Sequence, residues 1–189
     1  MKAVVTGGAG FIGSHMVDLL VSKNYEVVVL DNLANGRLEN IEHHKGKVAF
    51  WHVDIGDYGV DLDPYFEDAD YVFHYAALAD IVPSINNPLK YHKANVDGTI
   101  QVLEAAKKSK NLKKFVYAAS SSCYGIPEMY PTPESSPIKP EYPYAHIKSK
   151  FTYNCLRVIF LIQCCFIIFQ SSNYRKIIFF KYFKSVNCA

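Results

Sequence analysis

The stretch Val4-Val5-Thr6-Gly7-Gly8-Ala9-Gly10-Phe11-Ile12-Gly13 decides the reading of the fold. It joins a short apolar run to an amphipathic one, with glycines at 7, 10 and 13. Glycines at this spacing let the backbone turn tightly after a strand, approach a pyrophosphate with no Cβ in the way, and bring the next helix close against the sheet. That helix then aims its free N–H groups and the positive end of its dipole at the phosphates. A glycine-rich turn alone is weak evidence, and context makes this one specific. Val27-Val28-Val29-Leu30 reads as a second buried strand ending at Asp31, 24 residues after Gly7. A carboxylate at that place accepts hydrogen bonds from both hydroxyls of an adenosine ribose. The plain alternative is a strand, turn and helix with no ligand.

Working outward, Val48-Ala49-Phe50-Trp51-His52-Val53 is a third strand candidate ending at Asp54, and Tyr71-Val72-Phe73-His74-Tyr75-Ala76 is a fourth. Residues 88–110 carry apolar side chains at helical spacing (Val96, Ile100, Val102, Leu103, Ala106) behind Pro88, which suits a first turn. They predict one long crossover helix. Lys114-Phe115-Val116-Tyr117-Ala118-Ala119 gives a fifth strand with a serine run at its end, and residues 126–143, rich in Pro, Glu, Ser and Tyr, read as a loop. Strands alternating with helices predict an α/β fold with a doubly wound parallel sheet of the Rossmann type, ligands lying outside the carboxyl ends of the strands. Asp31, Ala76, Ala77 and Ser120 all fall at such ends.

The chain has 189 residues and a formal net charge of +2, enough for one well-buried domain. That charge hides an asymmetry. Residues 149–189 hold six Lys or Arg and no acid, leaving 14 basic and 18 acidic groups in residues 1–148. A mildly acidic body argues against a nucleic-acid binder. Met1-Lys2 leads straight into the first strand with no cleavable signal, which predicts a cytoplasmic protein. Five cysteines, at 123, 155, 164, 165 and 188, show no CxxC spacing, so neither a disulfide framework nor a zinc site is expected.

Tyr144-Ala145-His146-Ile147-Lys148 sets a phenol and an ammonium four residues apart on one helix face that Pro143 opens. A fixed positive charge favours the phenolate, so the spacing predicts a Tyr144 pKa lowered from its ordinary value and an oxygen able to remove a hydroxyl proton as hydride leaves the same carbon. Tyr and Lys at this spacing also occur as ordinary surface pairs.

Taken together, residues 1–150 resemble the extended short-chain dehydrogenase/reductase family, and within it the nucleotide-sugar 4-epimerases. The matching stretches are Thr6 to Gly13, Asp31-Asn32-Leu33, His74-Tyr75-Ala76-Ala77, Asn95-Val96-Asp97-Gly98-Thr99, Ala119 to Gly125, and Tyr144 with Lys148. The resemblance implies NAD held at Gly7, Gly10, Phe11, Ile12 and Gly13, by Asp31 and Asn32 at the adenosine ribose, by Asp54 and Ile55 near the adenine, and along Ala76 and Ala77. Tyr144 would be the base, Lys148 would hold the nicotinamide ribose and tune Tyr144, and Ser120 would hydrogen-bond the sugar hydroxyl. Asn95 would serve either the cofactor site or a structural bond positioning the lysine-bearing helix. Dehydrating relatives resemble a Thr-Asp-Glu run where this chain has Ser121 and Ser122. Without those acids the resemblance implies a UDP-sugar substrate epimerised at C4 through a 4-keto sugar. Asp31 has no basic residue directly after it, which favours NAD over NADP; Arg37, six residues on, reads as a solvated loop residue, with a phosphate contact as the alternative. A non-catalytic NAD-binding module and an NAD-dependent reductase of the same family are the competing readings.

After Lys148 the pattern stops. Residues 149–189 contain no Gly, Pro or acid and hold seven of the twelve phenylalanines. The strand and the smaller nucleotide-gripping domain of the family are not recognisable there, so the chain reads as a 1–150 NAD-binding domain with a 151–189 apolar, basic tail in place of the substrate domain, truncated and impaired in epimerisation. Three origins for the tail remain open: translation of AT-rich sequence out of frame, a short natural variant whose helix runs on through Phe151 to Leu161, or a membrane-seeking tail. Val158 to Phe169 is 12 residues long, short of the roughly 18 needed for a span. A homodimer of the family pairs through two helices, the second of which would start at Pro143 and run into this tail.

Overall fold

The computed structural model describes residues 1–133 and 135–149, together with the backbone of 164–167 and 179–180. Strands β1 (Lys2–Thr6), β2 (Glu26–Asp31), β3 (Val48–His52), β4 (Tyr71–His74), β5 (Lys114–Ala118), β6 (Cys164–Ile167) and β7 (Phe179–Phe180) form one sheet in the order β3-β2-β1-β4-β5-β6-β7. All neighbours are parallel except β6 and β7. The chain steps outward from β1 to β3 and then returns to the other side of β1 for β4. Strand order therefore reverses between β1 and β4, and a crevice opens at their carboxyl ends.

Both sheet faces are covered, which explains why the strands read as continuous apolar runs. Along β1, Ala3 and Val5 join Val27 and Val29 against Val17 and Leu20 of α1 (Phe11–Ser22). Val4 faces the other way with Val28, Leu30, Val72 and Phe115, packed on Val102, Leu103 and Ala106 of α5 (Gly98–Lys108) and on Phe66 of α2 (Asp63–Phe66). Full burial of Val4, Val5, Val29, Val72 and Phe66 contributes on the order of 2 kcal/mol per side chain.

Three expectations shift. The single crossover helix over 88–110 is three joined pieces: α4 (Pro88–His92), a π-helical turn (Lys93–Asp97) and α5, preceded by the short α3 (Ile81–Asn86). A π turn admits one extra residue; the apolar spacing survives on both sides, so sequence periodicity alone passes over it. Strands β3, β4 and β5 stop one or two residues early, leaving Val53, Ala76 and Ala119 in the loops beyond them. The third shift is β6, which pairs with β5 in parallel, Phe115 beside Cys164 through Ala118 beside Ile167. Part of the apolar run over 158–169 is therefore a strand of the sheet, consistent with apolar runs in parallel sheets. The continued helix expected over Phe151–Leu161 lies outside the described residues. Among the described residues, no helix is long and apolar enough to cross a membrane.

Candidate functional site

The glycine turn is held by backbone contacts at both ends. Gly7 has φ +70° and donates its N–H to the Leu30 carbonyl at 2.8 Å. A Cβ on Gly7 would lie 2.5 Å from the Ala76 nitrogen, and one on Gly13 would lie 2.1 Å from the Gly7 oxygen. No side chain fits at either place, so α1 sits directly on the turn. Gly10 is the N-cap of α1 and offers no side chain to the first-turn N–H groups, which leaves them for a ligand. A Cβ there would meet only the Gly7 oxygen, at 3.2 Å, so the space above it is open.

That space is a cleft lined by Gly7, Gly10, Asp31, Asn32, Asp54, Ile55, Ala76 and Ala77. These expected contacts come together at the reversal point between β1 and β4. Phe11, Ile12, Gly13 and Asn95 do not line it: Phe11 is 72% exposed at the start of α1 and Gly13 is buried in helix–sheet packing. Sequence reading missed other walls of the cleft, Ala34, Asn35, Gly36, Leu78, Ala94, and above all Lys90 and Lys93. The two lysines are three residues apart, a helical spacing beside a phosphate-binding turn that could have flagged them.

Asp31 is buried, with one carboxylate oxygen accepting from Ala9 N–H (2.9 Å) and the other from Leu33 N–H (2.8 Å). Each oxygen keeps a second acceptor direction, and a Cβ on Gly36 would lie 2.9 Å from both. The carboxylate thus braces the glycine turn while facing the cleft. Arg37 N–H and the Asn40 amide both donate to the Ala9 carbonyl, at 3.0 and 2.8 Å. Asp54 accepts from Gly56 N–H at 2.9 Å, and Ile55 packs into the core behind it.

Beneath the cleft lies a buried polar row. His74 contacts Thr6 Oγ1 through Nδ1 (2.6 Å) and Thr99 Oγ1 through Nε2 (2.9 Å). Thr99 donates to the Asn95 carbonyl at 2.7 Å. Burial first, and the Lys148 charge second, push the His74 pKa down to about 3. Asn95 turns its side chain to the loop after β4, exchanging two 2.8 Å hydrogen bonds with the backbone of Leu78. Its side-chain partner is therefore that loop rather than the lysine-bearing helix.

The second cluster lies beyond β5. Ser120 caps the 3-10 turn Ser121–Tyr124, accepting from Ser122 N–H at 3.2 Å and sharing a 2.7 Å bond with the Ser122 hydroxyl. Residues 143–149 form a helix, α6, that carries Tyr144 and Lys148, both buried. Ser84, fully buried on α3, meets the Tyr144 N–H at 3.4 Å. The expected lowering of the Tyr144 pKa is not found. Burial pushes the phenol up, a hydrogen bond with Ser120 opposes this, and the neighbouring Tyr142, Tyr91 and Asp80 push it further up. The ammonium of Lys148 donates to the Ala118 carbonyl at 3.0 Å and lies 4.6 Å over the Tyr117 ring, so it serves the end of β5. Ser120 and Tyr144 nevertheless lie close enough for the serine hydroxyl to favour the phenolate, two hydroxyls at one end of β5.

A doubly wound sheet, a side-chain-free helix start and a ribose-height carboxylate define a dinucleotide-binding α/β protein. Residues 3–174 match the NAD dependent epimerase/dehydratase family, and the chain belongs to that family. The match runs past residue 150, into the segment where composition changes. The chain is 41% identical over 155 residues to a UDP-glucose 4-epimerase of Schizosaccharomyces pombe, covering 77% of this chain and 43% of that one. Among solved structures it is similar to the Thermus thermophilus UDP-glucose 4-epimerase complexed with NAD (34% identity, TM-score 0.77, 89% of this chain and 54% of that one). It is also similar to the UDP-N-acetylglucosamine 4-epimerase of Methanobrevibacter ruminantium M1 in complex with UDP-N-acetylmuramic acid (34%, TM-score 0.79, 88% and 53%). The chain spans about half the length of the relatives it matches.

Proposed function

We propose that this chain binds NAD in the cleft between β1 and β4 and carries the proton-handling residues of a C4 epimerase acting on a UDP-sugar. The observation that carries the reading is the buried Tyr144 phenol with Lys148 one helical turn on, beside Ser120 at the carboxyl end of β5, on the same sheet edge as the glycine turn. The cleft fits NAD: a side-chain-free helix start suits the pyrophosphate, and Asp31 keeps acceptor capacity for ribose hydroxyls. Phe11, Ile12 and Gly13 would contribute through their backbone N–H groups, Asn32 beside Asp31, Asp54 and Ile55 at the adenine end, Ala76 and Ala77 along the cofactor. NAD, when bound, supplies the hydride acceptor.

Ser120 orients the sugar hydroxyl, and Tyr144 Oη takes its proton. Burial keeps the Tyr144 phenol protonated at neutral pH, so it takes the sugar proton only after giving up its own to solvent; that calls for a change on substrate binding, in which the Lys148 ammonium turns from Ala118 toward the phenol and favours the phenolate. The absence of acids at Ser121 and Ser122 supports epimerisation over dehydration. The reading takes residues 1–150 as the main part of the NAD-binding domain, to which the 151–189 segment adds strands β6 and β7, and carries with it a cytoplasmic location.

A non-catalytic NAD-binding module is the second reading, favoured by the raised Tyr144 pKa. The two are separated by incubating the purified chain with NAD and UDP-glucose and following UDP-galactose by chromatography, with NAD binding measured in parallel by calorimetry. Epimerisation that falls roughly 10²–10⁴-fold in Tyr144→Phe, with NAD binding kept, supports the first. Saturable NAD binding without interconversion supports the second, and failure to bind NAD overturns both.

A further inference from the structure

Outside the cleft lining, Asp18 of α1 meets two consecutive histidines of the 3-10 turn Glu42–His44. His43 Nε2 lies 2.8 Å and His44 Nε2 2.7 Å from the same carboxylate oxygen, Oδ1 of Asp18. The two imidazole rings are 4.1 Å apart, and the three ligand atoms all lie within 4.8 Å of one another. His15, one helical turn before Asp18, stands with Nδ1 3.7 Å from the other oxygen, Oδ2. Adjacent side chains on a turn usually diverge, whereas these two converge through their distal nitrogens on a single atom.

We propose that Asp18, His43 and His44 form a binding site for a divalent transition-metal ion of the zinc class. The donor set of two imidazoles and one carboxylate is the one zinc, nickel and copper favour. A tetrahedral zinc with bonds near 2.05 Å separates its ligand atoms by about 3.4 Å. Each Nε2 need retreat from Oδ1 by only roughly 0.6 Å to reach that separation and admit the ion. Binding moves each imidazole proton from Nε2 to Nδ1 and leaves Nε2 as the donor, with no change in oxidation state. The fourth position is left for water. His15 steadies the free carboxylate oxygen from outside, as partners behind metal ligands commonly do. Exposure fits as well: the His44 side chain is anchored at 13% exposure, while Asp18 at 40% and His43 at 56% leave a path for the ion. Without an ion the same groups make a compact hydrogen-bond clamp, in which burial pushes the Asp18 carboxyl up and the bonds from His44 and His43 more than reverse it. The segment so fastened also reaches the glycine turn, through Asn40 and Arg37 to the Ala9 carbonyl. An ion here would pin the β2–β3 connection to α1.

The cysteines give no metal signal in the sequence, so the test must tell imidazole from thiolate ligation. Zn²⁺ is titrated into the full chain against a chromophoric chelator, with thermal melts recorded with and without Zn²⁺ and a Co²⁺ absorption spectrum taken at saturation. The expected result is one Zn²⁺ per chain, a raised melting temperature, and a Co²⁺ spectrum lacking intense thiolate charge transfer. Affinity should fall roughly tenfold in Asp18→Asn and 100-fold or more in His43→Ala/His44→Ala. If the double variant melts abnormally, His43→Gln, at the more exposed histidine, must still weaken binding about tenfold. No saturable Zn²⁺ binding, binding unchanged in a folded variant, or a thiolate spectrum would overturn the proposal.

Discussion

The glycine turn and the Ser120–Tyr144 cluster sit on the same edge of one sheet, yet they are built in opposite ways. At the turn, missing side chains do the shaping: the closest approaches are backbone on backbone, and a methyl group at Gly13 would penetrate to 2.1 Å. At the cluster, side chains from β5, its following turn, α3 and α6 shape the site, and burial sets the chemistry. Geometry made by the backbone is fixed once the chain folds; geometry made by buried side chains can be retuned by whatever binds. The difference explains how the first region can be rigid while the second still awaits its charge arrangement.

The comparison is most exposed at Gly13. Gly13→Ala should destabilise the fold by about 3 kcal/mol or more, since every close neighbour of the new methyl is backbone; chemical denaturation reads this directly. A cost under ~1 kcal/mol would show that the turn yields, ending the distinction. Next in size is the response to acid of His74, which lies beneath both regions. Its folded pKa is about 3 against the ordinary 6.5, so below pH 6.5 the unfolded chain takes up a proton that the folded chain refuses. Stability is full above pH 6.5 and falls by about 1.4 kcal/mol per unit as pH drops toward 3. At pH 5 the loss is about 2 kcal/mol, and His74→Gln should remove that part of the slope.

Ser120→Ala tests the cluster from the side of chemistry. It should lower any epimerase turnover by about tenfold, on the scale of one lost hydrogen bond, while the melting temperature stays within a few degrees. Smallest is Gly46→Ala. Gly46 has φ +82° with no atom within 4 Å of the added carbon, so only backbone strain is at stake, about 1 kcal/mol. A loss as large as that at Gly13 would mean that conformation, rather than close packing, is what the turn glycines provide.

How much the sequence discloses follows the same division. The glycine turn, the end of β2 at Asp31 and the parallel alternation were legible because each is a local pattern with a steric cause. The π turn was not, because the helices on both sides keep their apolar spacing; its consequence, Asn95 clamped to Leu78, depends on one extra residue within a helix. The Tyr144–Lys148 spacing correctly set both residues on one helix, but the direction of the tyrosine shift does not follow from it. Apart from Tyr142, the groups facing Tyr144, among them Asp80, Ser84, Tyr91 and Ser120, lie 24 or more residues away in sequence, and no local motif reports them. Asp18 and His43–His44, 25 residues apart in sequence, went unnoticed for the same reason.

The hydrogen bonds of the buried His74 row also have a direction. Thr99 has one hydroxyl hydrogen, and it goes to the Asn95 carbonyl, so toward His74 the hydroxyl can only accept. His74 must therefore carry its hydrogen on Nε2 and present a bare Nδ1 to Thr6, whose own hydrogen fills it. Thr6 Oγ1 in turn faces the Ala76 N–H at 3.4 Å. Every hydrogen in the row points one way, from the loop after β4 through β1 and β4 into the crossover helix. The imidazole is a single tautomer, and nitrogen NMR of His74 should show it unchanged from neutral pH down to about 4.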